Sequence, residues 1–228
     1  MDEALAQDPY SWLGAVATVI FCSRFYLQWY YSERKGQSVV PVGFWYLSTC
    51  GSILFLIYGF IIQSTVGVLS HAFNIIIYGR NLIHIWREQG KLSPAMSRLV
   101  HGLIGLVVLT SMGILAYTWF QEFEDTRNLA PKERNAIWLW IALGVTGQGL
   151  FACRFIVQWL VTEARRKSVM PVVFWYISIF AAILKGGSHI GLAEWWFAIS
   201  VIVPMPVYLR NLVLIHQDKD KNSHAAGA

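Results

Sequence analysis

Apolar residues gather along this chain into seven blocks separated by short polar and charged turns. A membrane-spanning helix needs roughly 20 predominantly apolar residues. The blocks near 12–31, 41–62, 66–86, 99–120, 136–161, 171–192 and 195–215 all reach that length. The pattern predicts an all-α membrane protein with seven transmembrane helices.

The blocks are not independent of one another. The string RFYLQWYYSERKGQSVVPVGFWYLS at Arg24–Ser48 returns as RFIVQWLVTEARRKSVMPVVFWYIS at Arg154–Ser178, at an offset of 130 (154 − 24) with no gap. The same offset maps Tyr78, Arg80, Asn81 and Leu82 onto Tyr208, Arg210, Asn211 and Leu212. A fixed internal period marks a duplicated unit, here running from about Gly14 to Trp86 and from Gly144 to His216. Three blocks fall in each copy, and the fourth, Leu99–Phe120, has no counterpart. Three helices reverse the chain's direction and one linker crossing restores it, so the copies are expected to lie parallel about an axis along the membrane normal. The expected domains are a first triple-helix bundle (12–93), a linker helix with its outer loop (94–135), a second bundle (136–217) and a disordered tail (218–228).

Composition agrees. With 56% hydrophobic and 14% charged residues and a mean hydropathy of +0.47, the chain has too little charge to cover a water-soluble globule. Eleven Trp, ten Tyr and thirteen Phe suit membrane interfaces and cavities for sugars or lipid headgroups. The net charge of +5 reflects short basic clusters between apolar blocks, which speak of topology rather than nucleic acid. Arg34, Lys35, Arg87, Lys91, Arg98, Arg165, Arg166, Lys167, Lys219 and Lys221 collect on one side; Arg127, Lys132 and Arg134 on the other are diluted by acids. The positive-inside rule then places the N-terminus in the periplasm and the C-terminus in the cytoplasm of a bacterial inner membrane. Met1–Ser11 carries no Lys or Arg, unlike a signal peptide, so the first block is expected to be retained. Cys22, Cys50 and Cys153 lie in apolar runs without metal-ligand spacing and read as small hydrophobes.

The pattern RFxxQW, a charged turn ending in Ser, then VxPVxFWYxS resembles the lipid-A-disaccharide synthase N-terminal domain family, a three-helix membrane unit within the PQ-loop and SWEET sugar-transporter group. The resemblance covers both copies. It implies a SWEET-like fold of three, one and three helices, with a central cavity on the pseudo-two-fold axis. It implies no catalysis, since nothing here resembles the synthase's glycosyltransferase part. The Pro-Gln dipeptide of the wider group is absent, with Arg24-Phe25 and Arg154-Phe155 standing near its place. Sugar-carrying relatives place an Asn in the third helix of each copy; Asn74 fits, but its register mate is Pro204, which weighs against free-sugar transport.

Arg24 and Gln28 are four apart, as are Arg154 and Gln158, so in each copy a guanidinium and an amide share a helix face. Two readings stand: the arginines snorkel or pair within the bundle, or they hold an anionic headgroup by bidentate contact. Arg24 is expected about 10 Å inside the core, seven residues before the end of its block. Glu33 and Glu163 read as solvated charges or helix-end partners. Pro41 and Pro171 suit the start of a second helix. Trp45 and Trp175, with Trp29 and Trp159, form an interfacial belt or, if turned inward, an aromatic collar. Arg80-Asn81 and Arg210-Asn211 suit a helix C-terminus or make a second phosphate contact. Lys185 and His189 break the symmetry, replacing Phe55 and Gly59 of the first copy. An ionisable residue at the depth of Lys185 points to a polar cavity; a lone His beside it is more often a packing residue than a ligand.

These residues point to a transporter or flippase for a lipid-linked sugar or glycolipid intermediate of envelope (lipid A related) biosynthesis. Alternatives are a small-sugar facilitator of the SWEET type and a non-catalytic membrane module partnering a glycosyltransferase. Partners are the glycolipid, membrane lipids and such an enzyme; no cofactor or metal is implied.

Overall fold

The computed structural model describes residues 9–35, 40–165, 171–213 and 215, without the side chains of Ser32, Lys35, Gln158, Trp159, Thr162, Glu163 and Arg165. The expectations placed on Gln158, Glu163 and the 218–228 tail lie outside the described residues. Seven helices follow in order: α1 (Ser11–Lys35), α2 (Val42–Ile61), α3 (Thr65–Glu88), α4 (Pro94–Arg127), α5 (Pro131–Arg165), α6 (Val172–Gly191) and α7 (Trp195–Ile202). After a turn at Val203 and Pro204, α7 resumes over 205–213.

Three features differ from the expectation, each for a local reason. Residue 24 lies deeper than expected because α1 runs on to Lys35, which puts Arg24 eleven residues, or about 16 Å, from the helix end. The fourth block was expected over 99–120, but α4 has 34 residues and is about 51 Å long. Gln121–Arg127 holds no breaker, so the helix continues to Asn128 and restarts at Pro131, a good first helical position. Trp138 Nε1 donates to Thr126 Oγ1 at 3.2 Å across this hairpin. The seventh block is interrupted rather than continuous, because Pro204 has no N–H and its ring clashes with the carbonyl of Ser200.

The two copies share turn geometry as well as sequence. Pro41 and Pro171 stand one position ahead of α2 and α6 as N-caps, with φ −70° and −69°, and their carbonyls accept from Phe44 N and Phe174 N at 3.0 Å. In the turns before α3 and α7, Gln63 and Ala193 both take left-handed conformations, with φ 57° and 58°. The next residue, Ser64 or Glu194, donates its N–H back to Gly59 or His189 at 2.8 Å. These positions are again 130 apart (193 − 63), although the side chains differ.

Within the first copy α2 packs on α1 and α3; within the second α6 packs on α5 and α7. The copies meet crosswise, α1 against α7 and α3 against α5, while α4 leans on α3. Polar side chains share the interior with the apolar core, while large apolar ones face outward. Buried positions include Thr18, Arg24, Ser48, Ser70, His71, Gln148, Lys185 and His189, whereas Leu99, Leu106, Leu109 and Phe180 are exposed. Among the described residues five helices are long and apolar enough to cross a membrane: α2, α4, α5, α6 and α7 with its continuation. The other two, α1 and α3, carry inward polar groups such as Arg24 and His71 that lower their mean hydropathy. The chain is a multi-pass helical membrane protein.

One ion pair ties the copies at an exposed end. Glu33 on α1 accepts from Trp29 Nε1 at 2.9 Å and pairs with Arg210 beyond α7, so its partner belongs to the other copy rather than to the adjacent basic turn. The Trp29 hydrogen bond first, and Arg210 second, hold the Glu33 carboxyl below its ordinary value of 4.5. A depressed folded pKa contributes stability that is present above the ordinary carboxylate range and lost as pH falls. Melting in detergent should therefore drop more between neutral and acid pH for the native chain than for Glu33→Gln; equal slopes would contradict the pairing. Left-handed backbone costs a non-glycine residue roughly 1–2 kcal/mol, so Ala193→Gly should raise stability by up to about 1 kcal/mol, net of glycine's entropy. A fall in the melting temperature would argue against the turn geometry.

Candidate functional site

A narrow chamber with an open mouth lies between the two copies. It is lined from α1, α3, α5, α6 and both parts of α7. Three cationic side chains border it, Arg24, Arg154 and Lys185, and no Asp or Glu is among the described lining residues.

Each arginine sits in an equivalent nest. The Arg24 guanidinium lies over Phe21 at 3.6 Å, Phe25 at 4.6 Å and Phe44 at 5.4 Å. Arg154 lies over Phe151 at 4.5 Å, Phe155 at 4.8 Å and Phe174 at 5.0 Å, which are the same three positions shifted by 130. Cation–π contact partly replaces water around a charge at a fraction of its hydration. One Nη1 in each copy donates to a serine, Arg24 to Ser48 at 3.2 Å and Arg154 to Ser178 at 2.9 Å. Those hydroxyls donate in turn to the carbonyls of Phe44 and Phe174. The serine thus fixes the guanidinium by its acceptor side and itself by its donor side. Arg24 also donates to Tyr78 Oη at 2.6 Å. In both arginines Nε is buried without a partner, an unsatisfied charged donor of the kind an oxyanion would complete.

The third cation departs from the symmetry. Lys185 on α6 is 5% exposed and donates to Gln148 Oε1 on α5 at 3.1 Å. Gly147 lets α5 and α6 approach this closely, since a Cβ there would lie 2.9 Å from both the Ala181 carbonyl oxygen and the Lys185 backbone nitrogen. One turn on, His189 Nδ1 meets Glu194 Oε2 at 2.5 Å. Its ring opens a stack of four, His189, Phe197, Phe55 and His71, with successive centroids 5.1, 5.0 and 4.6 Å apart. His189 is thus packed in the stack and hydrogen-bonded to Glu194. Among the described residues no cluster of His, Cys, Asp and Glu could hold a metal ion.

Of the residues singled out by sequence, Arg24, Arg154, Lys185 and Asn74 meet at the chamber. Gln28 is half-buried and not among its lining residues. Trp45 and Trp175 do not form a collar there: they pack into the core of their own copies, each 6.1 Å from Tyr78 or Tyr208. Neither does the second contact come from the ends of α3 and α7. Arg80 is exposed, Arg210 pairs with Glu33, and Asn81 and Asn211 donate to the carbonyls of Ile77 and Val207 four residues back. Sequence reasoning missed the phenylalanine nests, the serine relays, Tyr78 and Gln148. The nests carried a usable signal: Phe21, Phe25 and Phe44 keep their identity at the 130 offset while Ile20 and Cys22 do not.

The Lipid A Biosynthesis N-terminal domain family matches the chain twice, over residues 13–83 and 143–213, again 130 apart (143 − 13). The lipid-A-disaccharide synthase of Chlamydia muridarum is 33% identical over 178 residues, which cover 77% of this chain and 28% of that protein. The synthase of Chlamydia trachomatis serovar D is 33% identical over 176 residues, with the same shares. That of Chlamydia felis is 28% identical over 177 residues, 75% of this chain and 28% of the relative. The chain therefore spans little more than a quarter of the length of these relatives. No solved structure matches. With both copies matched over their three helices, the chain belongs to the Lipid A Biosynthesis N-terminal domain family.

Proposed function

We propose that this protein is a membrane carrier, a transporter or flippase, for a phosphate-bearing lipid-linked sugar or glycolipid of lipid A related envelope synthesis. The observation that carries the reading is a chamber bordered by Arg24, Arg154 and Lys185 with no carboxylate among its described lining residues. Cations brought together at membrane depth repel one another and lack hydration. A phosphate headgroup relieves both costs, and the orphan Nε donors supply its hydrogen bonds.

In this reading the chain is a SWEET-like 3+1+3 assembly: bundle 12–93, linker 94–135, bundle 136–217. The copies lie parallel, with the N-terminus periplasmic and the C-terminus cytoplasmic in a bacterial inner membrane. The crosswise packing of α1 on α7 and α3 on α5 supports a two-fold relation. Arg24 and Arg154 bind the phosphate, Asn74 and Gln148 meet sugar hydroxyls, and Lys185 receives the charge when the bundles rock about the chamber. The break at Pro204, which has no N–H to offer the Ser200 carbonyl, interrupts the helix beside the site, a feature found at carrier binding sites. A second reading has its own support: the relatives are named lipid-A-disaccharide synthase and extend well beyond the matched part. There the unit delivers or holds the lipid for a glycosyltransferase partner. Neither reading gives this chain a catalytic step.

Reconstitution in liposomes with a fluorescent polyprenyl-phosphate sugar tests the carrier. Arg24→Ala with Arg154→Ala should lower scrambling at least about tenfold, since each charge-assisted bond lost is worth roughly 1.5–3 kcal/mol. Unchanged scrambling would end the proposal. Tyr78→Phe removes a 2.6 Å partner of Arg24 and should weaken phosphate binding several-fold. Tyr208→Phe should do less, because Tyr208 meets Phe25 edge to face near this site, through its ring rather than its hydroxyl. Equal effects would show that Tyr78 does not position Arg24.

A further inference from the structure

The chamber is not equally closed on its two sides. Where α1 meets α7, the lining residues Phe21, Phe25, Val201, Pro204 and Tyr208 are all buried. Where α3 meets α5, Asn74, Ile77, Ala152 and Phe155 are only half-buried and Phe73 is 39% exposed. Arg24, on α1, is buried, whereas Arg154, on α5, is half-buried. The linker α4 covers α3 and barely touches α5, so it leaves this seam open.

The mouth lies well inside the length of its two helices. Phe73 is 8 residues from the start of α3 and 15 from its end, about 12 Å and 22 Å along the axis. Ala152 is 13 residues from the end of α5, about 20 Å. Its rim is apolar, with Ile76 on α3 and Ile156 on α5 both exposed beside Phe73. A water-soluble anion would have to pass this greasy rim, whereas a lipid need not leave the hydrocarbon to reach it.

We propose that the seam between α3 and α5 is a lateral portal, through which the phosphate headgroup of a lipid slides into the chamber while its chains remain in the bilayer. This rests on the anion-binding reading of the chamber and narrows it to a lipid-borne phosphate. The phosphate meets Arg154 first, at the half-exposed nest, and Arg24 behind it. The orphan Nε donors of both are then satisfied, and the acyl or prenyl chains lie along Phe73, Ile76 and Ile156.

The test uses the full chain in detergent with dioleoyl phosphatidic acid carrying a diazirine near the glycerol end of one acyl chain. After irradiation the adducts are mapped by mass spectrometry. The expected result is adducts concentrated on residues 73–77 of α3 and 152–156 of α5. Unlabelled phosphatidic acid should compete them away, and their yield should fall roughly tenfold in Arg24→Ala with Arg154→Ala. Ala152→Trp, which fills the seam, should lower capture. Leu109→Trp, on the lipid-facing side of α4, should not. Arg-dependent capture with adducts at the α1–α7 seam, or spread evenly over all helices, would overturn the portal and leave the anion site standing. So would displacement of the probe by glucose 1-phosphate as effectively as by phosphatidic acid. Capture indifferent to both arginines would overturn the anion site itself. If Ala152→Trp fails to fold, the adduct map of the native chain still decides the question.

Discussion

The structure is organised around a cost: permanently charged guanidinium groups held in a low-dielectric interior without a carboxylate beside them. An isolated charge in hydrocarbon is expensive, and salt bridges are the usual remedy. This protein uses neutral ones. Three phenylalanine faces and a serine hydroxyl surround each arginine. Such a nest holds the side chain in place but leaves its charge uncancelled. The packing of α1 on α2 and of α5 on α6 follows from this arrangement, because each nest takes two phenylalanines from one helix and the third, with the serine, from the next.

Duplication explains why the nests match, and divergence explains what the chamber gained. The elements that hold an arginine are kept in both copies. Those that face the partner copy have changed. Lys185 and Gln148 stand where the first copy has Phe55 and Thr18, and Pro204 stands opposite Asn74. Phe197 fills space left by its own register mate, Gly67, where a Cβ would lie 2.5 Å from the ring. The stack His189, Phe197, Phe55, His71 therefore joins two residues of the second copy to two of the first and locks them along one line. One copy supplies a bulky apolar wall and the other a polar pair.

The helices, their number and the duplication were legible because apolar block length and a gapless offset are properties of the chain itself. Helix lengths were less so. The extension of α4 to Arg127 depends on the hairpin with α5, and hydropathy does not register an amphipathic stretch beyond the apolar block. Arg24, Arg154 and Lys185 were legible as ionisable residues inside apolar runs. The tryptophans misled, because an aromatic residue near a helix end suits both an interface and a core. Trp175 is buried in its bundle while Trp29 stays exposed. Gln148 gave no signal of its own, since it matters through a partner 37 residues away, and Tyr78, though repeated as Tyr208, has a role that depends on Arg24, 54 residues away.

The central claim is that an anion completes these nests, and the most direct measurement is magnetisation transfer between guanidinium ¹⁵N and ligand ³¹P. The chain would carry ¹⁵N-arginine in a phosphorus-free detergent, with phosphatidic acid as the sole source of phosphorus. The account predicts a strong ¹⁵N–³¹P contact that weakens when Arg24 or Arg154 is replaced by Lys and vanishes when both are. A contact that survives the double replacement, carried by arginines at the helix ends, would contradict it.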